Sequence, residues 1–156
     1  MVDFESCVSI CALDGPDSKC ADISFTNSIA AGCVTAGFVV PGHDCGDADT
    51  QTKFRGNVAH SVLGSGANIF PDVTGNDHNT CYEGSHFSAY KVTFAGLSTN
   101  FPGMEQRMSN MVMADNVLGV SLIITGNKEK AFMVLKDSDI YGETEALDCP
   151  GGKHAC

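Results

Sequence analysis

Residues 54–70 read FRGNVAHSVLGSGANIF. Asn, His, Ser and Gly sit there between apolar residues, types that serve equally in an active-site loop and in a turn between two strands. The surrounding chain favours the turn. Short apolar runs, each followed by small or turn-forming residues, recur as ISFTNS (23–28), KFRGNV (53–58), VTFAGL (92–97), VMADNV (112–117) and VLKDSD (134–139). A second set follows most of them: GFVVPG (37–42), GANIFPD (66–72) and GVSLIITG (119–126). In the last, Val120, Leu122 and Ile124 share one face of a strand, and Ser121 and Ile123 the other.

Such strands are too short and too close for a doubly wound α/β fold, whose parallel strands need crossover helices between them. An irregular repeat of roughly 20 residues with variable insertions is a solenoid pattern. The expected fold is all-β, a right-handed parallel β-helix of about five irregular coils. Asn27, Asn57, His60 and Asn116 are its expected corner residues, because Asn tolerates left-handed backbone and its amide can bond the next coil. An antiparallel β-sandwich is the alternative, but Asp14-Gly15 is the one Asn-Gly or Asp-Gly dipeptide in the chain, and it precedes the repeats. Segments 41–52 and 71–88 are expected to leave the coil as loops. MEQRMSNMVM (104–113), with Met104, Met108 and Met111 at helical spacing, is expected to form a helix of about two turns whose methionines pack the core.

The organisation expected is one domain over 1–156, with a Cys-containing lead-in at 1–21, coils at 22–145 and a Cys-containing tail at 146–156. The apolar fraction of 43% belongs to a folded chain. A net charge of −10, with nine Lys and Arg against 19 Asp and Glu, leaves no basic footprint for nucleic acid or for an anionic membrane surface. No segment approaches the roughly 20 apolar residues of a membrane span.

Eight cysteines, at 7, 11, 20, 33, 45, 81, 149 and 156, are many for this length and point to structural disulfides and an oxidising compartment. No Cys-x-x-Cys is present, so zinc is the lesser reading. The start, MVDFESCVSICALDG, lacks a basic n-region and carries Asp3 and Glu5, unlike a signal peptide. A segment of a longer secreted or membrane-anchored protein reconciles the two. Asn79-Thr80-Cys81 matches only a rare variant of the N-glycosylation acceptor.

FTNSIAAG and AGFVVPGHDC, followed by KFRGNVAHSVLGSGANIF, resemble the parallel β-helix region of the fibrocystin (polyductin) and fibrocystin-L family. Asn27, Gly37, Phe38, Gly42, Cys45, Asn57, Ala59, His60, Ser61 and Gly64 carry the likeness, which covers roughly residues 22–72. The resemblance implies a cell-surface or extracellular module, of the kind found on cilia and surface coats, with no settled enzymatic activity. It also implies other extracellular domains, or copies of the chain itself, as partners.

Similar architecture in glycan-degrading proteins keeps a carbohydrate-active enzyme as the alternative. That chemistry needs carboxylates from neighbouring coils on one groove. Asp115, Asp137 and Asp139 are the candidates, with Asp115 and Asp137 stacking if 112 and 134 are equivalent; the expected role is nevertheless a solvated corner. His60 and Ser61 are adjacent, so on a strand they point to opposite faces and do not form a base–nucleophile pair. No cofactor is expected. In HDCGDAD (43–49), Asp44, Asp47 and Asp49 offer calcium an incomplete ligand run. The reading that results is a non-enzymatic module presenting loops to protein or glycan partners.

Overall fold

The computed structural model describes residues 6–9, 25–41, 43–44, 54–70, 81–100, 105–123 and 132–142. Described residues are strands and the bends between them. Strand β1 (Val8–Ser9) comes first. A triplet follows: β2 (Phe25–Thr26), β3 (Ile29–Ala31) and β4 (Ala36–Pro41). After β5 (His43–Asp44) the triplet returns as β6 (Phe54–Arg55), β7 (Asn57–Val62) and β8 (Ser65–Phe70). It returns again as β9 (Cys81–Ser85), β10 (Phe87–Val92) and β11 (Ala95–Asn100), and as β12 (Glu105–Ser109), β13 (Val112–Ala114) and β14 (Leu118–Ile123). The last tier shows β15 (Met133–Lys136) and β16 (Asp139–Tyr141).

Corresponding strands stack tier on tier. The first sheet has the order β15-β12-β9-β5, with β2-β6 alongside; the second is β16-β13-β10-β7-β3; the third is β1-β4-β8-β11-β14. Among the described residues all pairings are parallel except that of β5 with β9. The protein is therefore all-β, with parallel strands in stacked sheets, a pattern compatible with a β-helix. An antiparallel sandwich would pair its strands the other way.

One residue makes each bend between the first and second sheets. Asn27, Gly56, His86, Asn110 and Asp137 all have φ between 48° and 70°. Gly32, Ser61, Lys91 and Asp115 repeat the device between the second and third sheets, with φ of 54° to 71°. A left-handed residue costs a non-glycine side chain about 1–2 kcal/mol, which ladder bonds on both sides must offset. Those bonds are present: Asn27 N–H donates to the Arg55 carbonyl at 2.9 Å, and Gly56 N–H to that of His86 at 2.8 Å.

The core runs along the stack. Phe25, Phe38, Phe54 and Phe87 meet at ring-centre separations of 5.6–6.1 Å, mostly edge to face, a geometry aromatic rings favour. Farther along, Met108, Met111 and Met113 replace them, all fully buried. A column of small residues lets the second and third sheets approach. Ala30, Ala59 and Ala89 stack in register on the second sheet. They face Gly37 and Gly66 on the third, where an added Cβ would lie 2.9 Å from the Ala59 and Ala89 methyls respectively.

Four expectations are corrected here. The 104–113 segment is not a helix but β12, a bend at Asn110 and β13. Inward residues of a strand alternate, and a one-residue bend inserted between Met108 and Met111 converts that alternation into a local spacing of three. Residues 81–88, expected within a loop, form β9 and enter β10. Strand pairing begins before residue 22, since β1 pairs with β4, Val8 opposite Phe38. The tier length also exceeds the expected repeat: equivalent positions joined by hydrogen bonds lie 29, 30, 24 and 27 residues apart.

Candidate functional site

The asparagines that follow bends act across tiers. Asn57 stands directly after Gly56, with 1% of its surface exposed. Its Oδ1 accepts from Ser28 N–H at 3.0 Å, and its Nδ2 donates to the Phe25 carbonyl at 2.8 Å, both in the preceding tier. Asn116, directly after Asp115, repeats the pattern on the other bend: its Oδ1 accepts from Val92 N–H at 3.0 Å and its Nδ2 donates to the Ala89 carbonyl at 3.0 Å. Ser138 supplies half of the device, accepting from Met111 N–H at 3.1 Å. Asn27 is itself a left-handed bend residue.

His60 lies in strand β7 rather than at a bend. Its ring stacks on Tyr90 of the next tier, centres 4.9 Å apart and planes within 8°. Its neighbour Ser61 is the bend residue, and positive φ breaks the alternation that would have kept the two side chains apart. Nδ1 and the Ser61 hydroxyl come to 3.3 Å on the exposed surface. The two side chains, expected on opposite faces, are therefore within hydrogen-bond reach of each other, at the loose end of the range for a nucleophile–base pair.

The three aspartates do not converge. Register sets Val112 opposite Asp139, and the Asn110 N–H donates to the Lys136 carbonyl one residue before Asp137. Asp137 therefore stacks on Asn110 at the first bend, Asp115 belongs to the second, and Asp139 lies within β16. Aligning 112 with 134 misplaced Asp115 relative to Asp137.

Of the cysteines, Cys7 and Cys33 form a disulfide that fastens the start of the chain to the first complete tier. Cys81 opens β9 without a described side chain; Cys11, Cys20, Cys45, Cys149 and Cys156 lie outside the described residues. Asp44 is in β5, also without a described side chain, while Asp47 and Asp49 lie outside the described residues. Among the described residues no cluster of three or more His, Cys, Asp or Glu is placed to hold a metal ion.

A polar pocket that sequence reasoning missed opens on the outer face of the first sheet. Glu83, His86, Arg107, Asn110, Lys136 and Asp137 line its polar side. Register brings them together: Glu83 pairs with Arg107, which pairs with Val134, and Ser85 stacks on Ser109 and then Lys136. Its volume of about 220 Å³ is below the roughly 300 Å³ at which drug-sized ligand pockets begin. It suits one small polar group or one sugar unit. Burial pushes the Glu83 carboxyl above its ordinary value, while the nearby Arg107 guanidinium pulls it back down. Its Oε1 is enclosed and makes no hydrogen bond with the protein. Arg107 also pairs with Glu105, and Lys136 meets Asp137 at 3.6 Å in solvent.

Comparison with protein-family models, curated proteins and solved structures finds no match to the chain.

Proposed function

We propose that this protein is a non-enzymatic structural or adhesive module of the fibrocystin type, a right-handed parallel β-helix that works outside the cell. The observation that carries the scaffold reading is the column of one-residue left-handed bends, tied tier to tier by the amides of Asn57, which is buried, and Asn116, which is partly so. Right-handedness follows from the strong preference of parallel β crossovers. The surface faces and the loops between tiers meet protein or glycan partners, and the ends of the stack meet further domains or copies of the chain, because unpaired strand edges must be covered.

Cys7–Cys33 supports the oxidising compartment. Mass spectrometry of the non-reduced, alkylated protein, with all eight cysteines mapped, tests it. Fully paired cysteines are the expected result; eight free thiols would overturn the extracellular assignment.

One observation favours a second reading, a carbohydrate-active enzyme. Glu83, a carboxyl that burial inclines to keep its proton, shares a pocket with Asp137, and glycoside hydrolysis needs a proton donor beside a second carboxylate. Release of reducing ends from neutral polysaccharides, abolished by both Glu83→Gln and Asp137→Asn, would establish it in place of the scaffold.

A further inference from the structure

The outer face of the second sheet carries a ladder with a rung missing. In register, its outward column reads Ala31, His60, Tyr90, Ala114, Tyr141. His60 and Tyr90 occupy adjacent tiers with rings almost coplanar in direction and 4.9 Å apart. The next tier has only the Ala114 methyl, and the tier after that has Tyr141. Strands in a sheet lie about 4.8 Å apart, so Tyr90 and Tyr141 are separated by about 10 Å with a methyl as floor. Tyr90 offers the ring face turned away from His60 to that gap. Tyr90 and Tyr141 are 40% and 54% exposed, so the gap opens to solvent.

A flat ring placed over Ala114 would sit about 5 Å from each tyrosine, the spacing at which His60 already stacks on Tyr90. We infer that this gap is a binding slot for one pyranose ring of a neutral glycan, held between the tyrosine faces. Size and charge select that occupant. A pyranose has two C–H-bearing faces that stack on aromatic rings and an equator of hydroxyls, which the rim residues Lys91, Asp115 and Asp139 meet with groups that donate and accept. Lys91 follows Tyr90, Asp115 follows Ala114, and Asp139 lies two residues before Tyr141. Two carboxylates on the rim of a protein of net charge −10 disfavour uronate polymers and nucleotides. The slot is separate from the Glu83 pocket, which lies on the first sheet. It rests on the proposed module by giving that module a ligand class.

The test uses the whole chain and its own fluorescence. There is no tryptophan, and two of the three tyrosines form the slot. Tyrosine emission and saturation-transfer NMR are recorded against a panel of neutral oligosaccharides, namely cello-, chito-, manno- and xylo-oligosaccharides of four to six units. Binding by at least one of them is expected. Tyr90→Ala and Tyr141→Ala should each weaken it about tenfold. Ala114→Phe fills the gap from an outward position and should abolish it, with circular dichroism unchanged.

Absence of binding across the panel would overturn the slot, as would binding indifferent to Ala114→Phe. Capture of a nucleoside or of an aromatic peptide in place of the sugars would overturn the pyranose assignment. Failure here leaves the cysteine map untouched, so a wrong slot and a wrong scaffold give different results.

Discussion

Replacing Asn57 with alanine removes one side chain and strands two backbone groups of another tier. Ser28 N–H loses the acceptor at 3.0 Å and the Phe25 carbonyl the donor at 2.8 Å. Asn57 is 1% exposed, so water reaches the vacated site poorly. Each lost bond is worth about 1 kcal/mol, and each buried group left unsatisfied adds its own desolvation cost, giving about 2–4 kcal/mol in total. In a chain of 156 residues each kcal/mol moves the melting temperature by about 2–4 °C, so a fall of about 5–15 °C is expected. Thermal denaturation followed by circular dichroism reads it.

Two companions sharpen the test. Asn57→Asp keeps an acceptor for Ser28 but sets a buried charge against the Phe25 carbonyl, so it should be at least as damaging. Asn110→Gly changes an exposed asparagine at a bend with φ of 54°, a backbone glycine adopts freely, and should be close to neutral. An Asn57→Ala protein melting within about 2 °C of wild type would refute the claim that its buried amide locks adjacent tiers together.

Gly66→Ala should be severely destabilising, by about 3 kcal/mol or more, because its Cβ would lie 2.4 Å from the Gly96 carbonyl oxygen and 2.9 Å from the Ala89 methyl. Gly142→Ala, whose Cβ would meet nothing within 4 Å, is the control, and chemical denaturation compares the two. Glu83 predicts a pH dependence. Burial raises its carboxyl above 4.5, so the folded protein holds the proton more tightly than the unfolded chain. Its stability contribution is therefore present below pH 4.5 and lost as pH rises through the folded value. Glu83→Gln should gain stability relative to wild type across that window. A difference in melting temperature that does not change with pH would refute it.

How much was legible follows from what each feature depends on. The all-β character and the bend beside Asn57, made by Gly56, came from local patterns, since turn residues and alternation act over a few positions. The register did not, although a spaced motif carries it: Ala30-x-x-Cys33-x-x-Ala36-Gly37 returns as Ala59-x-x-Val62-x-x-Ser65-Gly66 and as Ala89-x-x-Val92-x-x-Ala95-Gly96. These are the residues where sheets approach most closely, so they are constrained more tightly than the apolar runs. In the fourth tier Met113 and Asn116 take the places of Ala and Val, and the motif disappears. That is why Asp115 was set against Asp137. Glu83 and Arg107 are far apart in sequence and neighbours only through register, so their pocket had no local signal.

The stack spends its variation in length at one seam. The two bends lie five positions apart in each of the four tiers that show both, 27 to 32, 56 to 61, 86 to 91 and 110 to 115. All differences in tier length fall between the second bend and the first bend of the next tier. Insertions there leave every hydrogen-bonded ladder in phase. Such a chain can acquire, lengthen or exchange a loop between tiers without repacking its interior, and a foreign peptide grafted between 70 and 81 would be displayed at that seam. Evolution and protein engineering have the same permissive edge to work with.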